Sequence, residues 1–417
     1  MQNKRVYPGT TALLAFLAAT LLISSPVAAQ QERILHNFLA NGNDGNYPYA
    51  NLIFDSAGNL YGTTAWGASS NWGAVFELTP NANGSWTEKI LHAFNYDGVD
   101  GINPYAGLIL DPAGNLYGTT SHGGTYDYGT VFQLKPGAGG AWTEKILHNF
   151  NARYGYYPYY ALTLDAAGNL YGTTLNGGPG LGTVFELSPT AGDTWRLQVI
   201  HNFATNGIDG FYPQSGLIFD SSGNLYGITF DGGLYYGGTV FELSPSASGT
   251  WTEQILHNFN NNGTDGYYPS GNLVFDAAGN LYGTTPNGGT YNYGTVFEMK
   301  PAGAGVWTEQ VVHNFNNNGQ DGFYPVAGLI MDASGNLYGT TIAGGHSQRP
   351  YSYGTVFELT PAATGRWSET ILHTFLSNRE DGVDPAASLV MDKAGNLYGT
   401  TNSGGKPGFG TVFMVTP

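Results

Sequence analysis

Histidine is the residue type in this chain best suited to ligate a metal ion. Seven histidines stand at the same place in copies of one phrase, which reads Leu-His-Asn-Phe or a close variant of it. Repetition in one register holds equivalent side chains apart, so they cannot converge on one ion within about 2–2.6 Å. We therefore predict structural imidazoles, each hydrogen-bonded beside a strand, at His36, His92, His148, His201, His257, His313 and His373.

Aspartate recurs at two further positions and could bind calcium through carboxylate oxygens. One set opens the turn Asp-x-x-Gly-Asn, where the side chain can accept backbone N–H groups. The other set precedes a glycine, four residues before a proline in most copies, and Gly263 there occupies a place where a calcium loop needs an oxygen ligand. For this second set, a glycine-assisted turn is the preferred interpretation and calcium binding stays open as the alternative. For the whole chain, no other cofactor and no metal ligand are predicted. The second set is Asp44, Asp100, Asp209, Asp265, Asp321 and Asp381.

Aromatic side chains are the strongest signal for binding, because flat amphipathic rings stack on sugars and anchor protein partners. A single ligand on a repeated surface needs repeats that differ, and the aromatic-rich loops differ most in repeats 1, 6 and 7. The alternative is that many of these rings pack between neighbouring repeats as core. The predicted binding residues are Trp66, Trp72, His346, Tyr351, Tyr353, Lys406 and Phe409.

Sequence motifs of catalysis are absent. The chain has no Cys, no Gly-x-Ser-x-Gly, no His-Glu-x-x-His and no phosphate-binding loop. We therefore predict no catalytic residues and favour a non-catalytic module that binds a glycan or an extracellular protein. An extracellular carbohydrate-active enzyme, a lyase or hydrolase with carboxylates at a channel mouth, stays the alternative, because pairs made by folding are invisible in a sequence.

The elements that must position these residues come from one repeated unit. The phrase Gly-Asn-Leu-Tyr-Gly-Thr-Thr, with one substitution in the fourth copy, recurs at spacings of 54 to 60 residues. Each copy divides into four short segments bounded by Gly, Pro, Asn or Asp, which is typical of strands. The sequence therefore predicts an all-β, seven-bladed β-propeller of four-stranded antiparallel blades, with strands A to D from the channel outward. In that order the D–A and B–C loops share one face, which we predict to be the binding face.

Closure of the ring can be predicted from the two ends of the repeat array. Six repeats end in a D strand that is headed by a Trp, whereas the seventh stops after its third strand. The missing strand is predicted at residues 32–38, where it completes the C-terminal blade and removes an exposed sheet edge.

The N-terminal residues are typical of a secretory signal peptide. Lys4 and Arg5 precede an apolar run, and Val27-Ala28-Ala29 provides small residues for cleavage after Ala29. We therefore predict a signal peptide at residues 1–29, one propeller domain at residues 30–417, and a secreted or cell-surface monomer with no membrane insertion after cleavage. The formal net charge of −16 argues against binding to nucleic acid or to an anionic membrane surface.

The phrases Leu-His-Asn-Phe, Gly-Asn-Leu-Tyr-Gly-Thr-Thr and Gly-Thr-Val-Phe-Glu-Leu, recurring in register, resemble the GloVer tandem repeats of exported bacterial proteins. The resemblance covers essentially all of residues 30–417. It implies a surface or secreted repeat protein, often joined to a C-terminal anchor, and because no such anchor signal precedes Pro417 we expect free secretion. It implies no substrate and no catalytic residues. The Asp-x-x-Gly-Asn-Leu-Tyr step is also distantly similar to the A–B turn of NHL-type propellers, which supports the strand order.

Overall fold

The computed structural model describes residues 31–178, 181–345, 353–378 and 380–417 of the 417-residue chain. The predicted signal peptide lies outside these ranges, as do the predicted binding residues His346 and Tyr351. Within the described residues, four antiparallel strands form a blade seven times, the arrangement of a seven-bladed β-propeller. The predicted fold class is confirmed.

The inner two strands of each blade are short. Strand B carries the Leu-Tyr-Gly-Thr-Thr phrase, and its residues are buried on both faces because each blade packs between two others. In blades 1 to 7 strand A spans Ile53–Phe54, Ile109–Leu110, Thr163–Leu164, Ile218–Phe219, Ser270–Phe275, Ile330–Met331 and Val390–Met391. Strand B spans Leu60–Thr64, Leu116–Thr120, Leu170–Thr174, Leu225–Gly232, Leu281–Thr285, Leu337–Thr341 and Leu397–Thr401.

The outer two strands of each blade are longer. Strand C spans Ala74–Pro80, Thr130–Pro136, Thr183–Thr190, Thr239–Pro245, Thr295–Gly303, Thr355–Pro361 and Thr411–Thr416. Strand D spans Trp86–Ala93, Trp142–Asn149, Thr194–Asn202, Trp251–Asn258, Val306–Asn314, Trp367–Thr374 and, in blade 7, Gln31–Asn37. A short 3-10 turn, Ala138–Gly140, lies between strands C and D of blade 2.

Two further features of the blades are local. Strand A of blade 2 pairs with strand B only at Ile109–Leu110, and before it the Ala106 carbonyl accepts a bond of 2.9 Å from the Thr63 hydroxyl of the neighbouring blade. In addition, the D–A and B–C loops pair with each other in two-stranded ribbons. In blade 4 this pairing joins Gly210–Pro213 to the end of strand B. The other ribbons join Gly45–Asn46 to Trp66–Gly67, Gly101–Ile102 to His122–Gly123, Gly266–Tyr267 to Asn287–Gly288, Gly322–Phe323 to Ala343–Gly344, and Gly382–Val383 to Ser403–Gly404.

The N-terminal strand closes the ring as predicted. Gln31–Asn37 pairs antiparallel with Thr411–Thr416 as the outermost strand of blade 7, with a register shift between Ile34 and His36. The same register shift occurs where strand C meets strand D in the other blades, for example at Val75 and Phe76. Blade 7 is therefore built like the six continuous blades.

The core lies between adjacent blades. At the closure, Phe38 and Val412 of blade 7 share one buried cluster with Leu60 and Phe76 of blade 1. Strand B needs glycine at its centre because a Cβ on Gly62 would lie 2.6 Å from the Phe76 ring. The Gly-Thr-Thr phrase is thus a packing requirement of the blade interface.

The A–B turns confirm the structural interpretation of their aspartates. The Asp55 Oδ1 atom accepts the backbone N–H groups of Ala57 and Asn59 at 2.9 Å, and Oδ2 accepts the Asn59 side-chain amide and the Tyr61 hydroxyl. Equivalent backbone bonds hold Asp111, Asp165, Asp220, Asp276, Asp332 and Asp392.

Deleting residues 31–38 tests the closure. We expect a large fall in the melting temperature and concentration-dependent self-association, because strand C of blade 7 would expose an unpaired edge. Differential scanning calorimetry and light scattering measure the two effects. Melting unchanged from that of a chain lacking only residues 1–29 would contradict the closure.

A matched pair of substitutions distinguishes the loss of a buried side chain at the closure from the loss of an exposed side chain beside it. Phe38 is fully buried and Leu39 is 41% exposed. We expect Phe38→Ala to lower the free energy of unfolding by about 3–5 kcal/mol and Leu39→Ala by less than about 0.5 kcal/mol. Denaturant unfolding measures both values, and equal losses would contradict the assigned packing.

Candidate functional site

The central channel opens into a cavity of about 340 Å³ on the face that carries the D–A and B–C loops. The cavity is lined in every blade by the residue that follows the proline of the D–A loop, at the entrance to strand A. The lining is aromatic on blades 1 to 3 and small or polar on the remaining blades. In blade order these residues are Tyr49, Tyr105, Tyr159, Gln214, Ser270, Val326 and Ala386.

The three tyrosines form a continuous arc. The ring centroids of Tyr49 and Tyr105 lie 5.4 Å apart, and those of Tyr105 and Tyr159 lie 5.3 Å apart. Burial raises the pKa of the Tyr49, Tyr105 and Tyr159 hydroxyls. These groups are therefore protonated near neutral pH and can both donate and accept hydrogen bonds.

Residues behind the arc extend its aromatic surface. The Trp66 indole lies near the Tyr105 hydroxyl and partly offsets the rise in the pKa of that hydroxyl. On the next blade the His122 ring lies 4.6 Å from the Tyr157 ring and 6.5 Å from the Tyr159 ring. We call Tyr49, Trp66, Tyr105, His122 and Tyr159 the aromatic arc.

Amide and apolar groups complete the lining of the cavity. Asn51, Gln214 and Asn272 contribute side-chain amides to the lining, and the Asn272 oxygen also accepts the Gly216 N–H at 2.7 Å. Phe230 lines the same cavity. Among the described residues, the lining contains no carboxylate and no cationic side chain.

The backbone before each loop proline is held in a strained conformation. The seven residues at this position have φ between 56° and 62°, which is rare for residues other than glycine. Each backbone N–H donates to a carbonyl of the preceding blade's B–C loop; Asn103, for example, donates to Trp72 at 2.9 Å. Strain held by surrounding contacts is common at binding sites, and here it fixes the residues that line the cavity.

Three of the sequence-predicted binding residues occupy the same position in the B–C loops of three blades. At this position the backbone carbonyl accepts the hydrogen bond from the residue before the next blade's loop proline. Trp72 accepts from Asn103, Tyr353 from Asp384 and Phe409 from Tyr47. Their half-buried side chains pack against the hydrophobic clusters between blades. This placement fits the alternative of inter-blade packing.

Of the remaining predicted residues, Trp66 and Lys406 are described, and neither occupies that B–C loop position. The Trp66 ring lies 6.0 Å from the Trp72 ring and connects it to the aromatic arc. Lys406 is exposed, and its backbone N–H donates to Asn37. His346 and Tyr351 lie outside the described residues, so the grouping of blades 1, 6 and 7 stays a prediction.

A second class of polar site lies between the outer strands of adjacent blades. Six of the seven D-strand histidines, all except His148, meet the Asp of their own D–A loop and a Glu from strand D of the next blade. His92 Nε2, for example, lies 3.1 Å from Asp100 Oδ2 and 3.6 Å from Glu144 Oε1. We call these groups the junction clusters. They are His36/Asp44/Glu88, His92/Asp100/Glu144, His201/Asp209/Glu253, His257/Asp265/Glu309, His313/Asp321/Glu369 and His373/Asp381/Glu32.

The glutamates of these clusters sit in an unfavourable environment for a charge. Burial, with a contribution from the neighbouring aspartate, raises the pKa of Glu32, Glu88 and Glu309 to about 7. The Glu144 and Glu369 carboxyls also have raised pKa values, chiefly through burial. Removing a carboxylate from water disfavours its charged form, which accounts for these raised pKa values.

The junction of blades 2 and 3 departs from this pattern. Tyr154 stands where the other loops carry Asp, and Leu197 stands where the other D strands carry Glu. His148 remains, and burial lowers its pKa to about 4. Both acids are thus absent from the same junction.

A family model that describes the Gloeobacter/Verrucomicrobia repeat matches residues 21–218 and 308–417, well over half of the sequence. The chain belongs to the Gloeobacter/Verrucomicrobia repeat family. The resemblance seen in its repeated phrases is confirmed. No curated protein matches the chain.

Solved structures support the fold of this repeat-family chain. The extracellular domain of a protein described as a one-component system from B. thetaiotaomicron is 15% identical over 89% of this chain, with a TM-score of 0.54. An ancestral GH74 enzyme is 12% identical over 94% of this chain, with a TM-score of 0.56. The chain spans 41% and 51% of the lengths of those two proteins, so these likenesses show the propeller fold alone.

Sequence reasoning missed the channel-lining tyrosines and the cluster glutamates, although each set has a recognisable sequence context. The channel-lining tyrosines are the residues after the loop prolines, in Pro48-Tyr49, Pro104-Tyr105 and Pro158-Tyr159. Five of the six cluster glutamates, all except Glu32, stand two residues after the D-strand Trp, as in Trp142-Thr143-Glu144. Among the described residues, no helix is long and apolar enough to cross a membrane.

Proposed function

We propose that this repeat-family propeller is a non-catalytic binding module that takes a glycan in the channel-mouth cavity. The observation that carries the proposal is the row of Tyr49, Tyr105 and Tyr159 along one side of a cavity of about 340 Å³. Sugar rings present apolar faces and equatorial hydroxyls, and stacked aromatic rings beside hydrogen-bonding groups suit both.

The rest of the lining supports a neutral, hydroxyl-rich ligand. Asn51, Gln214 and Asn272 can donate and accept hydrogen bonds without carrying charge. The volume falls within the roughly 300–1,000 Å³ typical of small-ligand sites, at its lower end. A terminal sugar or a short oligosaccharide end is therefore the preferred occupant.

The signal-peptide sequence supports a location outside the cytoplasm. We propose that the chain is exported and meets its glycan in the extracellular space or at the cell surface. The net charge of −16 supports a neutral ligand over a polyanionic one, because a negative surface repels anionic chains.

The enzyme alternative finds less support. Glycoside hydrolysis needs a pair of carboxyl groups about 5–10 Å apart at the scissile bond, and the cavity lining of the described residues carries none. The likeness to a GH74 enzyme at 12% identity supports the fold and not an activity. A reducing-sugar release assay with any bound glycan distinguishes the two classes.

A glycan array is the first test of the proposal. We expect the purified chain to bind a restricted set of neutral oligosaccharides, and we expect isothermal titration calorimetry with the best of them to give one site per chain. No array binding, together with capture of an extracellular protein at the same face, would replace the glycan with a protein partner. Release of reducing sugar would overturn the non-catalytic assignment.

Tyr105→Ala tests the aromatic arc directly. Tyr105 is central in the arc and contacts both other tyrosines. We expect its truncation to weaken binding of the array-selected oligosaccharide by about 1–3 kcal/mol, because central aromatic anchors dominate binding sites. The matched control is Tyr126→Ala, since Tyr126 is 55% exposed in a B–C loop of the same blade. Equal effects at the two positions would argue against the cavity.

A second set of variants separates the aromatic arc from the sector predicted by sequence. Binding through blades 1, 6 and 7 requires Trp72→Ala and Tyr353→Ala to weaken affinity, with Tyr128→Ala mattering less. Binding through the aromatic arc requires the larger losses at Tyr105 and Tyr159, because these side chains line the cavity. We expect the second pattern, measured by calorimetry on variants with native melting temperatures.

A further inference from the structure

The six junction clusters place the same three ligand types in one arrangement at six of the seven blade junctions. In five clusters one imidazole nitrogen and two carboxylate oxygens lie within 4.8 Å of one another. In the sixth, His313 Nε2 lies 3.5 Å from Asp321 Oδ2 and 3.7 Å from Glu369 Oε1. The histidine and aspartate come from one D strand and its following loop, whereas the glutamate comes from the next blade. Each cluster therefore bridges two blades at the outer rim.

Most carboxylates of these clusters have one oxygen that is buried without a hydrogen-bond partner among the described residues. Five of the cluster aspartates are buried, with only 4–8% of their surface exposed, and their Oδ1 atoms have no hydrogen-bond partner among the described residues. They are Asp44, Asp100, Asp209, Asp265 and Asp321. The Oε1 atoms of all six cluster glutamates are buried and unpartnered in the same way. Orphaned buried carboxylate oxygens are rare and point to a group that completes the site.

The clusters of His201 and His313 are the clearest examples. In each of them the imidazole Nε2, the aspartate Oδ1 and the glutamate Oε1 all lack a hydrogen-bond partner. The His201 Nε2 atom lies 3.6 Å from Asp209 Oδ2 and 3.5 Å from Glu253 Oε1. These separations match the edge of about 3.4 Å between ligands that surround an ion tetrahedrally at about 2.1 Å.

The donor set and charge select the class of ion. One imidazole and two carboxylates are typical of Zn²⁺ and similar divalent transition metals, whereas calcium prefers oxygen ligands alone. Two carboxylates would balance the charge of a divalent cation, which removes the cost of burying both charges unpaired. We propose that each junction cluster binds one divalent transition-metal ion of the Zn²⁺ class and so clamps adjacent blades together.

Access to the site is visible at one junction. His313, Asp321 and Glu369 together line a surface cavity of about 410 Å³. An ion can enter there from solvent and keep water in its open position, as sites with three protein ligands do. The clamp lies between strands D at the rim, whereas the proposed glycan cavity lies at the channel, so the two proposals stand independently.

The junction of blades 2 and 3 serves as a control within the chain. Its Tyr154 and Leu197 replace both carboxylates at once, which is expected if the two acids serve a single ion. His148 alone cannot hold a metal in this way. The proposal therefore predicts six ions per chain and not seven.

Metal counting tests the stoichiometry. The purified chain is stripped with a chelator, incubated with Zn²⁺, desalted and analysed by inductively coupled plasma mass spectrometry; we expect about six Zn²⁺ per chain and a higher melting temperature than that of the stripped chain. Co²⁺ substitution should give visible absorption bands of a four- or five-coordinate ion. No bound Zn²⁺ or Co²⁺ would overturn the proposal in favour of a proton shared between the two carboxyls, and binding of Ca²⁺ alone would overturn the choice of ion.

Variants at one cluster test which residues hold the ion. The double variant Asp100→Tyr with Glu144→Leu copies the blade 2–3 junction, and we expect the count to fall from six to five. Glu144→Gln, which keeps the side-chain shape, should also lower the count and covers the case in which the double variant fails to fold.

Asp97→Asn is the matched control for these variants. Asp97 lies three residues before Asp100 and accepts the backbone N–H groups of Val99 and Asp100, a role that Asn41 fills in the equivalent loop. This change removes a nearby charge and keeps the turn, so the count should stay at six. An unchanged count in Glu144→Gln, or an equal fall in Asp97→Asn, would overturn the assigned ligands.

Discussion

The pairing of Gln31–Asn37 with Thr411–Thr416 is the constraint on which the other features of the molecule depend. Because this pairing completes blade 7, every blade has two neighbours and every strand B can be buried on both faces. The inter-blade core then demands glycine at the centre of strand B, where the aromatic ring of strand C lies against it. It also brings the D strand of each blade beside the loop of the previous one, which creates the junction clusters.

In a closed ring, the features shared by all blades and the residues that differ between blades have different roles. Features shared by the blades, such as the Asp-x-x-Gly-Asn turns and the strained residue before each loop proline, hold the scaffold. A single ligand on the ring axis can distinguish blades only where they differ. The residue after the loop proline differs strongly, from Tyr on blades 1 to 3 to Ala386 on blade 7, and it lines the central cavity on every blade.

Much of the fold followed from the sequence because it is periodic. The strand order, the turn aspartates and the closure each leave the same trace in many copies, for example Asp55 with Asn59. The candidate site was harder to predict, since Tyr49, Tyr105 and Tyr159 are three among many loop aromatics and only the fold shows which of them reach the channel. The junction clusters were not grouped because His92 and Glu144 lie 52 positions apart, in different blades.

The junction of blades 2 and 3 shows how one ring can use two kinds of contact at equivalent places. There, Tyr154 contacts His148 with ring centroids 6.1 Å apart, and Tyr156 lies 5.0 Å from Tyr128 of the preceding blade. Replacing buried charged groups with packed apolar ones is often neutral or stabilising, so this junction can close without an ion. The same junction carries Tyr159, at the end of the aromatic arc. Aromatic packing therefore both replaces the polar cluster at the rim and continues toward the channel mouth, where it forms the surface proposed to meet the ligand.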